Sequence, residues 1–275
     1  MVAADRAGRV VLPYTRLNLG RWLPAALLVL ALLLLWEALV RLSRAPEWLL
    51  PAPSAILRAG VEAGPLLAGH IGRTLLETVV GLGLSIASGV LLAVLIDLSP
   101  TLKRALYPLL VVSQTIPTIA LAPLLTVWFG FGLLPKVLVV ALVCFFPIAM
   151  NTAQGLEATD PDMVALLASM GASRSQVFRK VRFPGAMPAA CGGLRIAATY
   201  SVIGAVISEW VGASKGLGIF MIRASNSFLT ARLFAAIALT SLLSIVLFGL
   251  VLALERITLS WYFAAGREER WEELK

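Results

Sequence analysis

The sequence predicts an all-α polytopic membrane protein. Of its 275 residues, 59% are hydrophobic and 14% are charged, and the mean hydropathy is +0.91. A soluble domain is about 45–50% apolar and about 25% charged. The apolar residues also form long runs without charge, each sufficient for a membrane-spanning helix of about 20 residues. These observations exclude a water-soluble globule and a disordered chain, which needs low hydrophobicity.

Gaps between charged residues predict about six spans. We expect them at about residues 22–42, 74–97, 106–129, 134–154, 188–210 and 233–255. The transmembrane domain is then residues 22–260, between an N-terminal segment of residues 1–21 and a C-terminal tail of residues 261–275. Small residues recur at helical spacing in two of the spans, which predicts close helix packing. They are Gly81, Ser85 and Gly89 in the second span, and Gly193, Ala197, Ser201, Gly204 and Ser208 in the fifth.

The distribution of basic residues predicts that both termini are cytoplasmic. With six spans the termini share one side, which carries fourteen Lys and Arg residues, against eight on the other side and Arg195 within a span. Short cytoplasmic loops retain an excess of Lys and Arg. Topology and anionic lipid head groups therefore account for the net charge of +8. We expect the lipid bilayer, and no nucleic acid, as the partner of these charges.

The cytoplasmic loop between the fourth and fifth spans, residues 157–184, has the pattern of two short helices. Asp160 followed by Pro161 is a helix start, because a capping oxygen precedes a proline at the first helical position. Gly171 stands where a C-terminal cap belongs. Four large apolar residues recur at i, i+3, i+4 and i+7 and share one face of this helix. They are Met163, Leu166, Leu167 and Met170.

A second short helix is predicted directly after the first. Ser173 and Gln176 have the spacing of a capping box, and Pro184 is expected to end the helix. Such a helix pair has two interpretations. Either its apolar face packs on the bilayer or on the spans, or this face docks in a groove of a cytoplasmic partner.

The segments ALLASMGASR and VRFP, residues 165–174 and 181–184, resemble the EAA loop of permease subunits of binding-protein-dependent ABC importers. The pattern of that loop is E-A-A-x3-G-x9-I-x-L-P. Gly171, the nine-residue spacer, Val181 and the final proline fit it. Ala-Leu-Leu stands in place of Glu-Ala-Ala, so that Ala165 occupies the position of the family's Glu.

The resemblance covers about residues 50–256. Over this range the chain is similar to the nitrate, sulfonate, taurine and pyrimidine-precursor branch of these permeases. It rests on LPAPS at 50–54, IP at 116–117, ALAPL at 120–124, WFGFG at 128–132, GLG at 216–218 and FAAI at 234–237. The order of these motifs along six spans makes the resemblance specific. The tail of the chain, residues 228–256, is slightly more similar to the pyrimidine-precursor members, and the sequence leaves the solute open among nitrate, sulfonates, taurine, pyrimidine precursors and riboflavin.

The resemblance implies a type I ABC importer permease fold in a bacterial inner membrane. It implies a second permease copy, as a homodimer, two cytoplasmic ABC ATPase subunits and an extracytoplasmic solute-binding protein. The chain has no Gly-x4-Gly-Lys-Ser/Thr loop. We therefore expect no enzyme activity and no cofactor in this chain, with ATP and Mg in the partner ATPase. The coupling residues would be Met163, Leu166, Leu167, Met170, Gly171, Ser173 and Arg174.

The third span carries the first candidates for a translocation pathway. Pro117 and Pro123 are expected to kink it, because each removes a helical hydrogen bond. Non-helical backbone at membrane depth is tolerated against protein or a wet cavity. The candidate polar residues are Ser113, Gln114, Thr115 and Thr118. Either they contact the solute, or they satisfy the kinked backbone and bind neighbouring helices.

Two charged residues of the fifth span complete the pathway candidates. A charge in a span costs about 2.5–3.5 kcal/mol on insertion scales, so Arg195 either anchors helices or attracts an anionic solute. Glu209 lies at the outer end of the same helix. His70 is interpreted as a surface or interfacial histidine.

Two other classes of protein remain as alternatives. A secondary transporter or channel works without an ATPase, but it uses intramembrane acids or a carbonyl filter, and Glu37 is the only acid well inside a predicted span. A membrane-embedded enzyme needs a nucleophile with its base or a metal cluster. With one histidine and two cysteines in separate apolar runs, we expect no metal site and no catalytic residue.

Overall fold

The structure is a computed structural model that describes residues 19–113 and 115–262, with side chains described from residue 23. This part of the chain contains helices and connecting turns and no strand. The helices are α1 (Leu19–Ser43), α2 (Pro53–Glu62), α3 (Gly64–Leu98), α4 (Pro100–Ser113), α5 (Thr118–Phe129), α6 (Leu133–Glu157), α7 (Pro161–Ser169), α8 (Arg174–Val177), α9 (Phe183–Glu209), α10 (Leu217–Asn226) and α11 (Thr230–Thr258). A π-helical segment, Phe178–Arg182, joins α8 to α9.

The described helices confirm the prediction of about six spans. Five are long and apolar enough to cross a membrane: α1, α3, α6, the continuous α8–α9 helix and α11. The sixth is the pair α4 and α5, which is bent by 98°. Pro117 causes the break, because it has no N–H for a helical bond and adopts an extended conformation before α5. By contrast, α5 continues through Pro123.

Close packing of α6 against α3 and α9 forms the centre of the bundle. Val140, Cys144 and Ile148 of α6 are buried there with Leu82 and Ala197. The predicted small-residue stripes lie in these contacts. A Cβ at Gly81 would overlap the side chain of Val140, and a Cβ at Gly193 would overlap the carbonyl oxygen of Pro147. The absence of a side chain at these glycines thus permits the close approach of the helices.

The prediction that a helix ends before Pro184 is wrong. The chain remains helical from Arg174 to Glu209, and Pro184 lies in the first turn of α9. The π-helical segment makes this possible, since the N–H of Phe183 bonds the carbonyl of Phe178, five residues earlier. The coupling loop therefore leads into the fifth span without a flexible joint.

Helix α1 lies at the edge of the bundle, and most of its apolar side chains are exposed. The acid in this span, Glu37, accepts hydrogen bonds from the backbone N–H and the hydroxyl of Ser54, at 3.0 and 2.7 Å. It also pairs with Arg41 at 2.6 Å. Glu37 thus caps the start of α2, since the first turn of a helix leaves N–H groups without helical partners. This contact attaches α1 to the rest of the bundle.

Two neighbouring glycines provide a matched test of the α6–α9 contact. We expect Gly193→Ala to destabilise the protein by about 1–3 kcal/mol, the typical cost of overpacking. We expect Gly192→Ala to have little effect, because only Arg195 Nη2 lies near its Cβ position, at 3.8 Å. Thermal unfolding of both variants in detergent measures the difference. Equal melting temperatures for the two variants would contradict the close packing of α9 on α6 at Gly193.

Candidate coupling helix and translocation cavity

The coupling helix α7 has the predicted caps at both ends. Asp160 Oδ1 accepts a hydrogen bond from the N–H of Asp162 at 2.8 Å, and Pro161 occupies the first turn. At the other end Gly171 has a φ of +80°. The N–H groups of Gly171 and Ala172 bond carbonyls of the last turn, each at 3.0 Å. Local sequence therefore fixes both ends of α7.

The apolar face of α7 points away from the rest of the chain. The exposed fractions of Met163, Leu166 and Met170 are 49%, 56% and 73%, whereas Leu167 is half-buried. Three large side chains on α7 and its C-terminal cap residue make an exposed apolar surface, which is typical of a binding site for a protein or a membrane. We call these three residues the coupling face, after the role that the resemblance to the EAA loop implies for them.

The second part of the loop connects α7 firmly to α9. Ser173 and Gln176 form the predicted capping box: Ser173 Oγ accepts from the N–H of Gln176 at 3.3 Å, and Gln176 Oε1 accepts from the N–H of Ser173 at 2.7 Å. Arg174 is the first residue of α8. Val177 is buried, and the rings of Phe178 and Phe183 lie 5.9 Å apart. The second part of the loop is therefore continuous with α9.

A cavity of about 660 Å³ lies between α4, α5, α6 and α9. Two of the predicted pathway residues, Ser113 and Thr118, line it. Thr115 is exposed and donates its hydroxyl to the carbonyl of Val112 at 2.7 Å. Gln114 lies outside the described residues. The broken third span thus forms one wall of the cavity.

Two polar residues of the cavity are absent from the sequence-based candidates. Asn151 comes from α6 and Tyr200 from α9, and both line the cavity with Phe145 and Phe146. Asn151 donates its amide to the carbonyl of Pro147 at 2.8 Å. These residues lie on different spans, and no motif connects them in the sequence. The described residues that line the cavity include no Lys, Arg, Asp, Glu or His.

The predicted pathway residue Arg195 forms an ion pair between helices. Its Nε lies 3.3 Å from Glu255 Oε2, and the side chain of Glu255 is 8% exposed. Arg195 therefore joins α9 to α11. Its neighbour Ile196 lines the cavity, whereas Arg195 does not. This geometry favours the anchoring interpretation of Arg195, because a nearby carboxylate compensates its charge.

The predicted pathway residue Glu209 belongs to a buried polar cluster at the end of the bundle opposite the coupling helix. It is 0% exposed. Its carboxylate accepts from the hydroxyl of Thr74 at 2.6 Å and from the N–H of Gly218 at 2.5 Å. Lys136 is 1% exposed, and its Nζ donates to the carbonyl of Phe131 at 3.5 Å. Glu209 does not line the cavity; it holds the start of α10.

The prediction of a surface position for His70 is wrong. His70 is 6% exposed, and its Nδ1 lies 3.0 Å from the backbone nitrogen and 2.7 Å from the carbonyl oxygen of Gly216. Gly216 has a φ of +136°, and a Cβ there would overlap the carboxylate of Glu209. The GLG motif thus allows the backbone to approach the buried cluster. No sequence pattern indicates this contact, since 146 residues separate its partners.

The described chain is a bundle of helices of membrane-spanning length, with a cavity and an exposed apolar face on a loop helix. Residues 80–258 match the family described as binding-protein-dependent transport system inner membrane component. The chain belongs to this family. It is a permease, and the predicted resemblance is confirmed.

Several curated relatives match most of the chain. The formylaminopyrimidine transport permease protein ThiX of Halalkalibacterium halodurans is 41% identical over 87% of this chain and 96% of its own length. The riboflavin transport system permease protein RibX of Chloroflexus aurantiacus is 35% identical over 87% of this chain and 89% of its own. The taurine transport system permease protein TauC of Escherichia coli is 30% identical over 90% of this chain and 93% of its own length.

Solved structures confirm the predicted fold. An amino acid ABC transporter matches with a TM-score of 0.60 and 19% identity, over 71% of this chain and 95% of that chain. The methionine ABC transporter MetNI in an inward-facing conformation matches with a TM-score of 0.58 and 22% identity, over 70% of this chain and 97% of that chain. The fold is that of a type I ABC importer permease.

Removal of Glu209 provides a test of the buried cluster. We expect Glu209→Leu to destabilise the protein by several kcal/mol, about 1–3 kcal/mol for each buried donor left without an acceptor, because the hydroxyl of Thr74 and the N–H of Gly218 both donate to Glu209. Glu209→Gln keeps an acceptor for Thr74, so its effect should be smaller. Thermal unfolding in detergent measures both. The control is Glu62→Leu on the exposed surface of α2, expected within about 0.5 kcal/mol of the parent. A melting temperature of Glu209→Leu equal to that of the control would disprove the role assigned to Glu209.

Proposed function

We propose that this chain is the membrane-spanning subunit of an ATP-driven importer. Two copies form the translocation pathway for a small solute, which an extracytoplasmic binding protein delivers. Two cytoplasmic ATPase subunits supply the energy through the loop of residues 157–184. Both termini lie in the cytoplasm of a bacterium, and the spans lie in its inner membrane. The observation that carries this proposal is the exposed apolar coupling face on a helix with rigid caps.

The physical properties of the coupling face fit a docking surface for a protein. Burial of apolar area is worth about 25 cal/mol per Å², so three exposed apolar side chains contribute substantially when a partner covers them. The helix is short, and its caps fix its length. Because α8, the π-helical segment and α9 follow without a break, a push on α7 moves the fifth span.

Energy enters through the partner, since the sequence has no phosphate-binding loop. ATP and Mg are bound and used in the ATPase subunits. This chain converts movement of the coupling face into a change in which side of the membrane the cavity opens to.

The lining of the cavity supports an uncharged, aromatic solute. Hydroxyl and amide groups of Ser113, Thr118, Asn151 and Tyr200 line it, together with two phenylalanine rings. Such a lining offers hydrogen bonds and aromatic contacts but no charge to compensate an anion. Nitrate, sulfonates and taurine carry an anionic group, whereas formylaminopyrimidine and riboflavin are neutral heteroaromatic compounds. We therefore propose a neutral pyrimidine, as for the relative that is 41% identical.

Placing a charge on the coupling face tests the coupling. We expect Leu166→Glu to leave the chain inserted, because the side chain is 56% exposed, and to lower ATP-dependent uptake at least about tenfold. A carboxylate buried without a partner in an apolar contact costs several kcal/mol. Uptake into proteoliposomes that hold permease, ATPase and binding protein measures the effect.

The matched control places the same charge on the other side of α7. Ala168 is exposed and lies about 140–200° around the helix from the coupling face. We expect Ala168→Glu to keep most of the uptake. Normal uptake by Leu166→Glu would overturn the coupling role, and uptake by the permease alone, without an ATPase, would overturn the importer.

The choice of solute is tested by competition. We expect unlabelled formylaminopyrimidine to compete with uptake of the labelled compound, and nitrate and taurine not to compete. Tyr200→Leu should raise the KM of uptake about tenfold, since loss of an aromatic contact of about 1 kcal/mol adds to loss of a hydrogen bond. Uptake of nitrate or taurine by the parent protein would show that the solute is wrong while the importer stands.

A further inference from the structure

Two ion pairs join the ends of the coupling loop to the corner between α3 and α4. Glu157, where the loop begins, pairs with Lys103 at 2.7 Å. Arg182, near the end of the loop, pairs with Asp97 at 2.8 Å. Asp97 lies in the last turn of α3 and Lys103 in the first turn of α4. Both ends of the loop are therefore fastened to a single part of the bundle.

The two pairs differ in their burial. The side chains of Lys103 and Glu157 are 41% and 66% exposed. Those of Arg182 and Asp97 are 31% and 8% exposed. Exposed pairs contribute about 0–1 kcal/mol, because water screens them. The loss of one partner from a buried pair is much more costly, since it leaves a charge without compensation. The Asp97–Arg182 pair is thus the stronger mechanical connection.

Arg182 connects three helices at once. Besides its ion pair with Asp97 of α3, its Nη2 donates to the carbonyl of Leu156 at 3.3 Å. Leu156 is fully buried in the last turn of α6 and packs with Ala93 and Ala186 in an apolar cluster. The guanidinium therefore bridges α3, α6 and the π-helical segment that leads into α9. A guanidinium is suited to this position because it donates in several fixed directions.

The corner that Arg182 holds continues into the wall of the cavity. Leu92, five residues before Asp97, lines the cavity. Helix α4 begins at Pro100, directly after α3, and carries Ser113 to the same cavity. A displacement of the corner therefore moves two walls of the cavity. The continuous α8–α9 helix moves a third wall, which contains Tyr200.

We propose that Arg182 is a positioning residue that, through Asp97, transmits the movement of the coupling helix to α3 and α4. The role rests on the proposed function, since it needs an ATPase that moves α7. With this connection, α3, α4 and α9 move together, and three walls of the cavity change position at once. Without it, α3 and α4 follow the movement of α9 less closely, and hydrolysis proceeds with less transport.

The test uses the full complex of permease, ATPase and binding protein in proteoliposomes, with solute transported per ATP hydrolysed as the readout. This ratio does not depend on how much complex folds. We expect Arg182→Gln and Asp97→Asn to retain the ATPase and its hydrolysis, and to lower the ratio at least about fivefold, the lower end of typical coupling between sites. The exposed-pair control, Glu157→Gln, should keep the ratio of the parent.

A charge reversal shows whether the loss of the Asp97–Arg182 ion pair, and not substitution at these positions in general, lowers the ratio of solute transported per ATP hydrolysed. Asp97→Arg alone places two cations together and should lower the ratio further. Combined with Arg182→Asp, it restores an ion pair without the bond to Leu156, so we expect part of the ratio to return. An unchanged ratio in Arg182→Gln, an equal loss in Glu157→Gln, or no recovery in the double variant would each overturn the role of Arg182. In all three cases the proposed function stands if an ATPase copurifies with the parent chain. If the parent chain binds no ATPase, both the proposed function and the role of Arg182 are overturned.

Discussion

The close approach of α6 to α3 and α9 is the constraint on which the rest of the structure depends. It exists because Gly81 and Gly193 have no side chain where Val140 and the backbone at Pro147 lie. Apolar burial gives helices little preference for one another inside lipid, so that packing of this kind determines their arrangement. Because α6 runs directly into the coupling loop and α9 directly out of it, the same contact fixes the position of the loop.

The irregular backbone of the third span lies where a bilayer tolerates it. Ile116 and Thr118, on either side of Pro117, line the cavity, and irregular backbone is tolerated at membrane depth where it borders protein or a wet cavity. Ser113 and Thr115 donate their hydroxyls to carbonyls of α4, each at 2.7 Å. These side chains therefore satisfy the broken helix, as one of the two interpretations requires, while Ser113 also lines the cavity. The two roles are compatible, because a hydroxyl that donates to the backbone still offers an acceptor.

Local features are predictable from the sequence, and contacts between distant segments are not. The caps at Asp160, Gly171 and Ser173 depend on residues within three or four positions, so their patterns are sufficient. The continuation through Pro184 is not predictable, because a proline usually ends a helix and no sequence pattern marks the π-helical segment before it. The contacts of His70 and Glu209 join residues more than 130 positions apart. No pattern in one sequence identifies such partners, and the burial of these polar groups arises only in the folded bundle.

The absence of charged side chains from the described cavity lining bears on the identity of the solute, because the spans do carry charges at other positions. Four acids in the spans are paired with basic residues: Glu37 with Arg41, Glu77 with Arg73, Asp97 with Arg182 and Glu255 with Arg195. A charge in a span is costly, and pairing reduces the cost. Had the pathway been selected for an anion, a basic residue would be expected to face the cavity, as one interpretation of Arg195 requires. Instead Arg195 is engaged with Glu255, and the described cavity wall consists of apolar, hydroxyl, amide and aromatic groups. These charges therefore hold helices together, and the solute proposed above needs none of them, because a neutral heteroaromatic compound binds through hydrogen bonds and aromatic contact.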